Sequence, residues 1–184
     1  MTFVAGQRIT ASMLNKDYMQ ADTTTTTVTA ATQTRLSTAY TIAANDAQAG
    51  TVYKLIAMGS GTQGSTAQTL AIRLNTVGGA GLNAYTIASS FAVISHNFRW
   101  HVESVITIPS TGAAVKPILF TRGMTFDATG GSLITSFMNE YDSSGGTTID
   151  TTNSWGLQFE CAWGSTIGSP TISCLATVFE RGGA

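Results

Sequence analysis

Apolar residues stand at every second position from Trp155 through Leu157, Phe159 and Cys161 to Trp163, with Gly156, Gln158, Glu160 and Ala162 between them. A second run places Ile172, Cys174, Ala176 and Val178 in the same alternation. Period two over such lengths predicts strands with one face in a core and the other in water. Folding the runs about Ser165–Pro170 as a hairpin pairs Trp163 with Ile172, Cys161 with Cys174, Phe159 with Ala176 and Leu157 with Val178. Both apolar sets then share one face, as a consistent register requires.

The pattern extends over most of the chain. Phe98, Trp100, Val102, Ser104, Ile106 and Ile108 alternate with Arg99, His101, Glu103, Val105 and Thr107, and Leu70, Ile72 and Leu74 repeat the arrangement. Further strands are predicted at Leu36–Ile42, Thr51–Met58, Gln68–Asn75, Tyr85–Ile94, Val115–Phe120 and Leu133–Met138. Turns are predicted at Ala44–Ala47, Gly59-Ser60-Gly61, Val77–Gly81, Ser110–Gly112 and Asp142–Gly146, where Gly, Asn, Asp and Ser cluster. No useful helical period follows residue 20. Eight to ten short strands over about 150 residues predict an all-β fold, a jelly-roll-like antiparallel β-sandwich.

Some strands are apolar on both faces. Leu175 and Phe179 oppose the inward set of the last strand, and Leu119 lies between Ile118 and Phe120. Leu175, Phe179 and Leu119 are therefore the candidate oligomer interface, since a second apolar face in such a domain needs a cover. A homotrimer is the expected assembly.

Residues 1–22 differ from the rest. Phe3, Ile9, Met13 and Leu14 are apolar, and Thr10 is suited to N-cap a short helix from Ala11 to about Gln20. So short a helix is marginal unless it docks, so 1–22 is read as an anchoring arm. The Thr-rich stretch 23–34 is a linker or an edge strand, and 35–184 is the sandwich head.

Composition narrows the function. Charged residues make up 10% of the 184-residue chain, against about 25% in an average soluble protein, while Thr occurs 31 times and Gly 19 times. A net charge of -1 gives no reason to expect nucleic acid as a partner. No apolar segment approaches the roughly 20 residues that span a bilayer, so no membrane partner is expected. Met1–Arg8 lacks the pattern of a signal peptide, which implies synthesis in a cytoplasm. Two cysteines are too few for a disulfide framework. The hairpin register sets Cys161 against Cys174, where a bridge is conceivable, and two buried thiols are the plainer reading.

Chemistry-bearing groups are sparse. His96 and His101 have opposite parity and cannot chelate one metal from one straight strand. His101, beside Arg99 and Glu103, reads as part of a surface polar ladder or an intersubunit contact. Glu140, Asp142 and Asp150 bracket a Gly-rich loop, but their spacing matches no EF-hand. Gly78-Gly79-Ala80-Gly81 lacks the Lys-Ser/Thr of a phosphate loop. Trp100, Trp155 and Trp163 fall on inward parity and read as core. No catalytic residue, metal site or cofactor is assigned, and no enzyme is expected.

The opening Phe3-Val4-Ala5-Gly6-Gln7-Arg8-Ile9-Thr10-Ala11-Ser12-Met13-Leu14-Asn15 resembles the start of virion proteins, usually minor tail proteins, of tailed phages that infect actinobacteria. Ile42–Tyr53 resembles the start of the trimeric β-sandwich heads carried on such arms. The resemblance implies a structural virion component, contacting other virion proteins through its arm. Capsid decoration protein or head fibre is an alternative, as is a receptor-binding module that takes host-surface glycan through its Gly-rich loops. Tyr141 beside Asp142 is the loop aromatic that would serve the last.

Overall fold

The structure is a computed structural model that describes residues 18–65, 69–76, 81–87, 97–141 and 148–183. Among the described residues it is all-β, with every strand pair antiparallel. One sheet has seven strands: β1 (Tyr18–Asp22) and β2 (Thr26–Val28) lie along one side of β12 (Thr171–Gly182). The order continues through β5 (Val52–Thr62), β8 (Asn97–Thr107), β9 (Ile118–Asp127) and β10 (Leu133–Tyr141). The other sheet has five among the described residues: β3 (Thr34–Arg35) and β4 (Tyr40–Ile42) lie along one side of β11 (Trp155–Trp163), with β6 (Leu70–Thr76) and then β7 (Gly81–Ile87) on the other.

The two sheets share one core. Tyr40 of the five-stranded sheet stacks on Phe179 of the seven-stranded one at 4.9 Å, and its hydroxyl donates to Thr177 O at 3.2 Å. Tyr53 meets Trp155 edge-on at 5.6 Å, and Phe98 meets Trp163 at 6.3 Å. Offset and edge-on ring pairs of this kind join area burial to specific geometry. Trp100, Trp155 and Trp163 all lie in this core, as their parity predicts.

The alternation in β11 and β12 is present, but the hairpin is not. β11 pairs with β6, β3 and β4, whereas β12 pairs with β5, β1 and β2. The segment between them crosses from one layer to the other. Alternation reports only that a strand has an inward face, and two strands facing each other across a core satisfy it as well as two in one ladder. Cys161 and Cys174 are therefore on opposite sheets, free and buried. Burial pushes the Cys161 thiol up to about 12 and raises that of Cys174 as well.

A β-bulge corrects the proposed interface. Gly59 pairs with Cys174 and Met58 with Ala176, which leaves Leu175 as the extra residue. One extra residue reverses the parity beyond it. Thr177, Phe179 and Arg181 consequently face inward, and Phe179 is 0% exposed. Leu119 is also buried; its neighbour Ile118 is exposed. Of the three candidate interface residues only Leu175, 46% exposed, lies on the surface. The inward Arg181 is satisfied by Asp46, its Nε 3.0 Å from the carboxylate and its Nη2 3.1 Å from the main-chain oxygen.

Three further expectations change. Tyr18–Gln20, placed at the end of a helix by sequence, are strand, because β1 completes a ladder along β12. Residues 11–17 and the arm residues Phe3, Ile9, Met13 and Leu14 lie outside the described residues. The Thr-rich stretch contains an edge strand, Thr26–Val28. Gly59-Ser60-Gly61 is the interior of β5 and not a turn. The predicted strand Leu36–Ile42 is interrupted: Leu36 N and Ser37 N both donate to Phe159 O, at 2.8 and 3.1 Å, between β3 and β4.

Candidate functional site

The outer faces of the two sheets differ. On the five-stranded sheet the outward positions include Arg73, Asn75, Gln158 and Glu160. The Glu160 carboxylate accepts from Gln33 and Asn75, and Arg73 Nη1 donates to Gln33 Oε1 at 2.7 Å. This face is polar and tied together by its own side chains.

The outward rows of the seven-stranded sheet mix apolar positions with polar and charged ones. Register across β12, β5, β8 and β9 sets Val178 beside Ile56, Val105 beside Phe120, Ala176 beside Met58, and Thr107 beside Ile118. Among these, Met58 (40%) and Ile118 (45%) are exposed. Four of the charges on this face neutralise one another. Lys54 Nζ lies 3.2 Å from Glu103 and 3.7 Å from Glu180, and Arg122 Nη2 lies 2.6 Å from Glu103. Glu103 is only 7% exposed, and burial alone would raise its carboxyl. The hydrogen bonds and charges of Arg122 and Lys54 outweigh that and hold it below the ordinary value.

Below this charged row lies a hollow of about 530 Å³, walled by Met58, Arg99, His101, Phe126 and Leu175. Its floor is made of small groups, Gly59, Ser60 and Ala176. The bulge raises Leu175 as one wall, and the two glycines of β5 let neighbouring groups close in from beneath. A Cβ on Gly61 would stand 2.4 Å from Phe98 Cζ and 2.6 Å from Thr171 O. A second, polar cleft of about 300 Å³ adjoins the hollow, and Ser60 and Arg99 line both. Thr62, Asn97, Thr171 and Ser173 complete the cleft. Among the described residues Arg99 has no carboxylate partner.

His101 faces the hollow with Nδ1 enclosed and without a hydrogen-bond partner. Burial lowers its pKa, Glu103 opposes that, and Arg122 and Lys54 add to the lowering. A base whose folded pKa is depressed resists protonation in the fold. Stability should therefore be lost as pH falls from the ordinary imidazole value of 6.5 through the lower folded value. Urea unfolding midpoints measured from pH 7 to pH 5 should fall, and His101→Gln should flatten that fall. An unchanged slope in the variant would assign the loss to other groups.

Of the other candidates, His96 and Asp142 lie outside the described residues, as do Gly78–Ala80. Asp150 caps its own turn, accepting from Thr152 N at 2.9 Å and Asn153 Nδ2 at 2.7 Å. Among the described residues no group of three His, Cys, Asp or Glu is placed to hold a metal ion. The hollow itself was missed in the sequence, although Gly59-Ser60-Gly61 inside an apolar run was its signal.

No family model matches the chain, and neither does any curated protein. Solved structures similar to it include arcelin-5, a lectin-like defense protein from Phaseolus vulgaris, with a TM-score of 0.48 and 9% identity over 92% of this chain and 100% of that one. Lectin II from Ulex europaeus has a TM-score of 0.40 and 12% identity, covering 91% and 93% of the two chains. A lectin from Bauhinia forficata in complex with GalNAc has a TM-score of 0.29 and 11% identity, covering 92% and 94%.

Proposed function

We propose that this chain is a non-enzymatic structural component of a tailed-phage virion, a jelly-roll-like head that assembles as a homotrimer and is held to the tail through its N-terminal arm. The observation that carries this reading is the outer face of the seven-stranded sheet. Val178, Ile56, Val105, Phe120 and Ile118 occupy positions where a monomer would gain by carrying charge. The charges beside Ile56 and Val178, those of Lys54, Glu103, Arg122 and Glu180, are already paired within the chain, so a partner could cover them without leaving one of these unpaired. The resemblance of Phe3–Asn15 to minor tail proteins supplies the virion context. Recognition of host-surface glycan is compatible with this role, although the Gly-rich loops that suggested it lie largely outside the described residues.

The purified protein should sediment at micromolar concentration at three times its 19.2 kDa chain mass. Ile56→Asp combined with Val178→Asp should yield a folded monomer with unchanged far-UV circular dichroism. Deleting residues 1–17, which stops short of β1, should leave the trimer intact but absent from virions. A wild type that sediments as a single chain would sink the assembly, and virions that retain the truncated protein would sink the arm.

A further inference from the structure

We propose that the hollow beside the β12 bulge is a binding site for an amphipathic anion, with an apolar body between Met58, Leu175 and Phe126 and a charged head at Arg99. Its volume of about 530 Å³ falls within the range of ligand pockets, about 300–1,000 Å³. The strand interior beneath it has been stripped of bulk. Met58 and Thr62 of β5 carry full side chains, while Gly59, Ser60 and Gly61 between them carry almost none. Glycine inside a strand costs stability, and close approach of another group is the usual reason for it. Gly59 and Gly61 each accommodate such an approach from below, and Ser60 leaves the outer side open.

The lining selects the ligand class. Apolar side chains wall one end, and the adjoining cleft offers hydroxyls of Ser60, Thr62, Thr171 and Ser173 and the amide of Asn97. Arg99 lies where the two meet, and neither space is lined by a carboxylate. A guanidinium holds a carboxylate, sulfonate or phosphate head through paired N–H donors. The hydroxyl cleft then receives whatever polar group follows the head, while a hydrocarbon or aromatic body displaces water from the apolar end. A cationic ligand has no counter-charge here. A fully polar one leaves the apolar end wet.

The site and the assembly proposed above are tested separately: Met58 and Ala176 stand one row along from Ile56 and Val178, and sedimentation of each variant tells a lost site from a lost assembly. The test uses two fluorescent probes on the full chain, anionic 8-anilinonaphthalene-1-sulfonate and neutral N-phenyl-1-naphthylamine. Both should bind saturably at one per chain. Arg99→Gln should weaken the anionic probe about tenfold and leave the neutral one unchanged. Ala176→Phe, which fills the hollow, should abolish both, and Leu175→Asp at the exposed bulge should do the same should the first variant misfold. Decyl phosphate should displace the anionic probe. Vesicles of phosphatidylglycerol, floated with the protein, distinguish a bilayer source from a free amphiphile: retention lost in Leu175→Asp identifies the bilayer, and displacement by decyl phosphate alone identifies the free molecule. Probe binding that survives both Ala176→Phe and Leu175→Asp overturns the site. An equal effect of Arg99→Gln on both probes overturns the anionic class.

Discussion

Replacing Phe179 with alanine should lower the free energy of unfolding by about 3–5 kcal/mol, a large share of the stability of one domain. The ring is fully buried, stacked at 4.9 Å on Tyr40 from the opposite sheet and at 5.8 Å on Tyr53 from the neighbouring strand. Truncation leaves a cavity where the two layers meet, and neither tyrosine can swing into it freely. Tyr40 is held by its hydrogen bond to Thr177 O, and Tyr53 by its hydroxyl, 3.3 Å from Asp46. Leu175→Ala is the matched control, four residues away on the same strand but at the exposed bulge, and its cost should stay within about 0.5 kcal/mol. Urea unfolding with unchanged m-values measures both. Similar losses at the two positions would mean that the bulge is misplaced and that parity runs unbroken along β12.

That bulge marks the limit of what periodicity can reveal. Alternation located most strands, and it put Phe98, Trp100, Val102 and Ile106 in the core, where they are. Such strands are legible because one face is dry and the other wet over their whole length. Phe179 was misassigned because a single inserted residue, Leu175, leaves no mark in composition yet turns every later side chain over. The hairpin of β11 and β12 failed for a different reason. Ladder partners and residues facing across a core show the same inward parity, so Cys161 and Cys174 could not be separated by pattern alone. The outward row of Lys54, Glu103 and Arg122 joins three strands far apart in sequence, and only the register of β5, β8 and β9 assembles it. Gly59-Ser60-Gly61 carried information of the opposite kind. Small residues suggest a turn when the chain is read locally, but the neighbours that require them, Ser173 and Phe98, come from elsewhere in the sequence.

Gly59→Ala should destabilise the protein by about 2–6 kcal/mol, far more than one methyl group usually costs. A Cβ built there stands 1.8 Å from Ser173 O and 3.0 Å from Trp100 Nε1. The first of these is backbone, so no rotamer change relieves it. Ser173 O also accepts the indole N–H of Trp100 at 3.1 Å, and that indole is buried. Moving the carbonyl away breaks this bond and strains the pairing of Gly59 with Cys174 beside the bulge. Overpacking in a close-packed interior costs about 1–3 kcal/mol, and a buried donor left without its acceptor about 1–3 more. Ser60→Ala, the next residue and outward-facing, should be nearly neutral. The change in Trp fluorescence during urea unfolding reports both variants. Near-native stability for Gly59→Ala would mean that β12 does not close on β5 at this point. The small-residue floor of the hollow would then have no structural reason to exist.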